Sequence, residues 1–178
     1  LNTPTDIFLR EIEAADLPTI TAWRADRDVV DALVGNFRHV NGDIDRRWYD
    51  AYLASRANNV RLAICQRESG QCVGVVYLLN IHWINRSGEF GIQIGDRAAR
   101  GRGIGESATR LMLQHAFGDL NIHRVYLSVL ADNARAIRLY ERIGFRHEGV
   151  QREAVFKCGR YIDLLTMAAL ASDQAARH

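Results

Sequence analysis

The chain of 178 residues has only two prolines, three cysteines and a net charge of +2, and each shortage narrows what it does. With so little proline and no Ser/Gly/Pro-rich or repeated tract there is no linker to divide it. One domain over residues 1–170 is expected, with residues 171–178 as a fraying tail. Cys65, Cys72 and Cys158 are odd in number and contain no C-x-x-C pair, although Cys65 and Cys72 could approach each other. Cys65 and Cys72 flank a hairpin turn and read as small buried hydrophobes. The six histidines show no metal-ligand spacing, so no metal is expected. A charge near neutrality gives no global field for nucleic acid or a membrane surface, and neither is an expected partner. No apolar run approaches the ~18 residues of a membrane span, and residues 1–10 lack the basic and apolar regions of a signal peptide. A reducing, cytoplasmic setting is the expectation.

What is present is a sheet-and-helix pattern. Residues 7–12 read as a first strand, and Asp16 with Pro18 opens a helix carrying Leu17, Ile20 and Trp23. Residues 24–43 are charged and poorly periodic, either a lid over a binding site or a solvated connection. A helix is predicted over 45–56. Strands over 60–66 and 72–79 flank the hairpin signal at 67–71, and residues 82–88 turn into a strand over 89–94. Helices follow over 106–120 and from Asp132 or Asn133 to Gly144, with a buried strand over 125–130 between them. Runs 149–156 and 160–167 alternate around Lys157-Cys158-Gly159 as a last hairpin. The fold class is α+β, a mixed and mostly antiparallel sheet with helices on its faces. The apolar strands near the C-terminus make a homodimer an expectation.

The organising stretch is Arg100-Gly101-Arg102-Gly103-Ile104-Gly105, placed between a strand and a helix. The first amides of a helix have no intrahelical acceptor and carry the positive end of its dipole. Glycines let backbone approach a phosphate closely, and arginines add forked, charge-assisted hydrogen bonds. The turn is therefore expected to cradle a pyrophosphate. It is not a Walker A loop, which needs Gly-Lys-Ser/Thr where this chain has Gly105-Glu106. Nor does it fit the dinucleotide fingerprint, whose third glycine is replaced by Glu106.

Taken with Asn133-x-x-Ala136-x-x-x-Tyr140-x-x-x-Gly144-Phe145 downstream, the Arg-x-x-Gly-x-Gly run closely resembles the GCN5-related N-acetyltransferase (GNAT) superfamily. The stretch from Glu148 to Glu153, with Phe156 and Gly159-Arg160-Tyr161, is similar to the branch holding ribosomal-protein N-terminal and polyamine acetyltransferases. Trp23-Arg24-Ala25-Asp26 is similar to a Trp-Arg-Asn-Asp element of that branch, with Ala25 in place of the asparagine.

The resemblance implies acetyl-CoA as co-substrate and a primary amine as acceptor: a protein N-terminus, a polyamine or another small amine. It implies a bulged strand at the acetyl-CoA site, with Ile92, Gln93 and Ile94, bracketed by Gly91 and Gly95, offering free amides to the thioester and the pantetheine arm. Arg100, Gly101, Arg102, Gly103, Ile104 and Gly105 would hold the pyrophosphate. Asn133 would meet the pantetheine or an ordered water unless it only caps its helix, Ala136 is a further cofactor-binding position, and Arg135 and Arg142 would meet the 3′-phosphate unless they are exposed helix charges. Tyr140 is implied as the proton donor to the departing thiolate, the alternative being a packing residue. Glu89 or His82 would take the proton from the ammonium, unless each only serves its strand end or turn. Trp23, Trp48, Tyr49 and Trp83 are candidate walls of the acceptor pocket, and the six aspartates between Asp26 and Asp50 candidate partners of a polycation. A catalytically silent acyl-CoA-binding module is the rival reading.

Overall fold

Period-two alternation of apolar residues builds a seven-stranded sheet in the computed structural model, which describes residues 6–175. The strands are β1 (Ile7–Glu11), β2 (Val60–Gln66), β3 (Cys72–His82), β4 (Ser87–Ile94), β5 (Arg124–Leu130), β6 (Arg146–Lys157) and β7 (Arg160–Leu170). Their spatial order is β1-β2-β3-β4-β5-β7-β6. Every neighbouring pair is antiparallel except β4 and β5. Parallel neighbours need a crossover, and α4 (Ile104–Gln114) supplies it. α5 (Ala134–Ile143) joins α4 on the same face, over a core that includes Val76, Leu78, Phe90, Ile104, Met112, Leu127, Ile143 and Met167. The other face is covered by α1 (Leu17–Ala25) and α3 (Gly42–Ala54), over Ile12, Ile20, Trp23, Tyr52, Ala63 and Val75.

The join between β4 and β5 positions the site. Pairing runs only through Ser87↔Arg124, Gly88↔Val125 and Glu89↔Tyr126. Beyond Glu89 the strands part, and β4 from Phe90 to Ile94 pairs on its β3 side alone. The amides expected to be freed by a bulge within 91–95 are thus freed by splaying. The register with β3 runs unbroken from Leu79↔Glu89 to Gly74↔Ile94, and the shift falls between Leu79 and His82 of β3. A bulge-like doubling does occur just past β4, where the amides of Gly95 and Asp96 both donate to the Val73 carbonyl at 3.1 Å.

Element boundaries moved where caps were overlooked. α3 starts at Gly42, ahead of the expected 45, because the Asn41 side chain accepts from the Ile44 amide at 3.0 Å. α4 ends at Gln114 and gives way to a wider turn over His115–Asp119. Part of the irregular region forms α2 (Arg27–Val30), capped by Asp26. The expected frayed tail instead begins with a helical turn, α6 (Ala171–Ala175), fixed by the Ala171 amide on the His123 carbonyl and by Arg146–Asp173 at 3.0 Å. The rest of that tail, 176–178, lies outside the described residues. Cys65 and Cys72 are cross-strand partners and remain thiols, while Cys158 is exposed. No helix among the described residues is long and apolar enough to cross a membrane.

Candidate active site

The wedge between β4 and β5 opens into a cleft of about 1270 Å³, larger than the pocket of a single small ligand. Each residue expected to bind the donor lines it: Ile92, Gln93, Ile94, the run Arg100 to Gly105, Asn133, Arg135, Ala136, Tyr140 and Arg142. Glu89 lines it too, and His82 does not. A second cavity of about 740 Å³ lies across β1 and the end of α4, lined by residues such as Tyr52, Trp83 and Leu111. The orphaned donor, the glycine turn and the buried phenol described next all belong to the larger cleft, so the chemistry is assigned there.

At one end, Gly101 and Gly103 take φ of +82° and +81°, the left-handed region that side chains with a Cβ avoid. Gly103 is the N-cap of α4 and makes no side-chain cap, which leaves the first helical amides facing the cleft. Six arginines (100, 102, 110, 135, 138 and 142) border this end against one carboxylate, Glu106. Their roles differ from the expectation. Arg100 turns back, donating to the carbonyls of Ile94 at 3.1 Å and Gly95 at 3.4 Å, and so braces the turn rather than presenting its fork to a ligand. Arg142 reaches Glu106 at 3.3 Å, and Arg110 reaches it at 2.9 Å. Those hydrogen bonds, Arg110's first, hold the Glu106 carboxyl below its ordinary range. Arg135 lies over Gly101, its Nη2 3.8 Å from where a Cβ would stand. Arg138, which the sequence reading missed, lies three residues along the same α5 face; that spacing was the signal available.

In the middle, Tyr140 is 9% exposed, packed edge-on to Phe90 with ring centroids 6.1 Å apart and against Phe145 at 5.6 Å. Gly144, at φ +115°, ends α5, and its amide and that of Phe145 close on the Tyr140 carbonyl, which fixes where the ring departs. Burial pushes the phenol up to about 12. The phenol therefore stays protonated through the neutral range, a donor on the lining of the cleft. Gln93 is 8% exposed, and its Nε2 is buried without a partner in the same cleft. A buried unpaired amide is costly, about 1–3 kcal/mol, and a polar ligand in the cleft would relieve it. These features fit a pantetheine-bearing diphosphate: an anion cradle at one end, a free strand edge, and an orphan amide and a phenol near the middle.

Glu89 shares its strand face with Gly91 and Gln93 and accepts from Asn80 Nδ2 at 3.1 Å. Its charge, after burial, helps to raise the Tyr126 phenol. His82 is the exposed last residue of β3, and its Nδ1 accepts from the Asn85 amide at 3.1 Å, away from the cleft. Of the two candidate bases only Glu89 lines the cleft.

The far end is walled by Val29, Ala32, Leu33 and Val34, from α2 and the turn after it, facing Leu79 and Ser128 to Leu130. Four residues of the suspected lid therefore form a cleft wall. It is held from behind by Lys157, whose buried ammonium donates to the carbonyls of Val30, Leu33 and Gly35. Asn133 adds a second tie: its Oδ1 caps α5 on the Ala136 amide at 3.1 Å, while its Nδ2 donates to the Ala32 carbonyl at 3.3 Å. The sequence reading missed Lys157, although it is the sole lysine among 23 basic residues. An ammonium suits three converging carbonyls; a planar guanidinium fork does not.

The expected aromatic wall is not there. Trp23 packs in the second core, so tightly against Gly95 that a Cβ there would stand 1.9 Å from its ring. Trp48 and Tyr49 pack on the same core, and Trp48 is stacked by Arg61 at 4.9 Å. Trp83 is exposed and donates to the Ala57 carbonyl. Large aromatics fill cores more readily than they wait in pockets, which explains the miss.

Comparison with known proteins agrees with this geometry. The model of the acetyltransferase (GNAT) domain matches residues 6–146. Spermidine N(1)-acetyltransferase of Vibrio cholerae is 30% identical over 168 residues, which cover 94% of this chain and 95% of that protein. The crystal structure of spermidine N-acetyltransferase from Vibrio cholerae in complex with CoA and spermine superposes with a TM-score of 0.89 at 29% identity, over 96% of this chain and 98% of that one. The L-amino acid N-acetyltransferase AaaT of Escherichia coli is 29% identical over 92% of this chain and 98% of its own length. The chain belongs to the GNAT acetyltransferase family.

Proposed function

We propose that the protein transfers the acetyl group of acetyl-CoA to a primary amine, by direct attack of the amine in the cleft between β4 and β5. The observation that carries this is the largely buried Tyr140 phenol, which lines the same cleft as the glycine turn and Glu89. Acetyl-CoA supplies the acyl thioester; the chain's own residues bind, orient and move protons. The amides of Gly101 to Gly105, with Arg102, Arg135 and Arg138 around them, receive the phosphates. The unpaired edge of β4 receives the amide-bearing arm, as a strand is added to a sheet. Glu89 accepts one proton from the ammonium, which frees the nitrogen lone pair to attack. As the C–N bond forms and the C–S bond breaks, Tyr140 donates to the sulfur. A phenol near 12 stays protonated through the neutral range and is a weaker acid than a thiol. It therefore stabilises the thiolate as a hydrogen-bond donor while the second nitrogen proton reaches the sulfur.

A thiol-release assay with acetyl-CoA and a panel of amines, with mass detection of the acetylated product, tests this. Turnover that Glu89→Gln abolishes while donor binding persists is the expected result. Tight acetyl-CoA binding with no release from any amine would favour the silent module instead. The homodimer expected from the C-terminal strands would form along β6, the exposed edge strand carrying Val150. Sedimentation of a single 20.1 kDa species would remove it.

A further inference from the structure

We infer that the acceptor is a primary amine with one positive charge on an apolar body, not a polycation; this rests on the acetyl-transfer reading above. The far end of the cleft is where an acceptor must lie, since the other end is committed to phosphate. Its walls are apolar: Val29, Leu33 and Val34 on one side, Leu79 and Leu130 opposite. Among the described residues lining the cleft, the carboxylates are Glu89 and Glu106. Glu106 sits at the phosphate end between Arg110 and Arg142, which leaves Glu89 alone to face an ammonium. The residues outside the description, 1–5 and 176–178, contain no Asp or Glu.

Of the six aspartates that made a polycation plausible in the sequence none lines the cleft, and four have partners elsewhere. Asp26 and Asp28 both bind Arg97, at 3.1 and 2.8 Å. Asp45 is fully buried against Arg24. Asp31 takes the Cys158 thiol at 3.6 Å, outside the cleft lining. Behind the apolar wall stands the Lys157 ammonium, whose charge opposes a second cation on the same side. A second ammonium entering here would lose its hydration and find no carboxylate, which is a strong penalty. An alkyl or aryl group in the same place gains by leaving water. Wall position is fixed by Lys157 and Asn133, so the pocket keeps this character without rearranging.

The test compares kcat/KM of the full chain, with acetyl-CoA, for isoamylamine and 2-phenylethylamine against spermidine at one pH. The two monoamines are expected to exceed spermidine by about tenfold or more. Spermidine equal to or better than both would overturn this inference and leave acetyl transfer standing. Thiol release with none of the three would overturn the transfer reading, and this inference with it. Leu33→Glu places a carboxylate on the half-buried wall and should move the ratio toward spermidine by about tenfold. Val34→Asp is the second variant should the first fail to fold. A ratio unmoved in a folded variant would show that the wall does not select the acceptor.

Discussion

The two ends of the cleft are built on different plans. The backbone of the proposed phosphate end comes from one contiguous run of amides, two positive-φ glycines and the first turn of α4, to which α5 adds Arg135 and Arg138. Its geometry is dictated by residues a few positions apart. The acceptor end is assembled from α2, β3, β4 and β5, with the β6–β7 hairpin bracing it through Lys157. Its neighbours are as much as 127 positions apart in sequence. A diphosphate is the same in every reaction and is served by backbone, which side-chain substitution scarcely alters. The acceptor faces side chains on separate elements, so its selection can change while donor binding is kept. The named relatives are consistent with that division: one is a spermidine and another an L-amino acid acetyltransferase.

The comparison can be broken most forcefully at the point where the ends meet. Tyr140→Phe should lower kcat by about 10²-fold or more while calorimetry finds acetyl-CoA binding unchanged. Because the phenol is raised to about 12 by burial, its own ionisation should leave activity intact through the ordinary phenol range near 10. A loss of rate centred near pH 10 that disappears in the phenylalanine variant would contradict this.

At the phosphate end, Gly103→Ala forces a Cβ into a left-handed conformation at a strain of roughly 1–2 kcal/mol. Donor Kd should rise by about tenfold, with the acceptor KM nearly constant. Lys157→Met is the matching lesion at the other end. It strips three carbonyls of their donor and should raise acceptor KM several-fold without altering donor Kd, at a stability cost of about 1–3 kcal/mol. Lys157→Arg should not restore the KM, since the planar fork cannot meet the three carbonyls together. A change in donor Kd in the lysine variants, or in acceptor KM for Gly103→Ala, would dissolve the separation of the ends.

The smallest effect is expected at the closed base of the wedge. There Arg124 of β5 grips Glu148 of β6, with Nη2 2.6 Å from Oε2, and its hydrogen bonds hold the Glu148 carboxyl below 4.5. A depressed carboxyl stabilises the fold above its unfolded pKa and loses that contribution as pH falls through the folded value. Both side chains are partly exposed, so screening keeps the effect well under about 1 kcal/mol. Urea midpoints of the native chain and Glu148→Gln should therefore differ slightly at neutral pH and converge as pH falls through the depressed folded value.

The sequence reading succeeded where chemistry is local. Gly101, Gly103, Asn133 and Gly144 behave as turn and cap residues for reasons confined to their own dihedrals and nearest amides. Tyr140 follows from Asn133 and Gly144, since a helix with fixed ends has a fixed phase. Side-chain partners were not legible in the same way. Arg100 and Arg142 look like phosphate ligands by spacing, yet one braces carbonyls of its own turn and the other meets Glu106 from a different helix. His82 and Glu89 are seven positions apart, and only the splaying of β4 from β5 decides that Glu89 borders the cleft while His82 turns outward.

By itself the sequence determined the order of strands and helices, the backbone conformation of the anion turn and the phase of α5, because those depend on sterics and hydrogen bonds within a turn or two of chain. The tertiary structure alone decided how β4 and β5 diverge, which arginines brace the turn or meet Glu106, that none of the aspartates between Asp26 and Asp50 lines the cleft, and that Lys157 holds the acceptor wall. Those outcomes turn on contacts between residues far apart in sequence, each worth about a kilocalorie, and only the packed sheet selects among them.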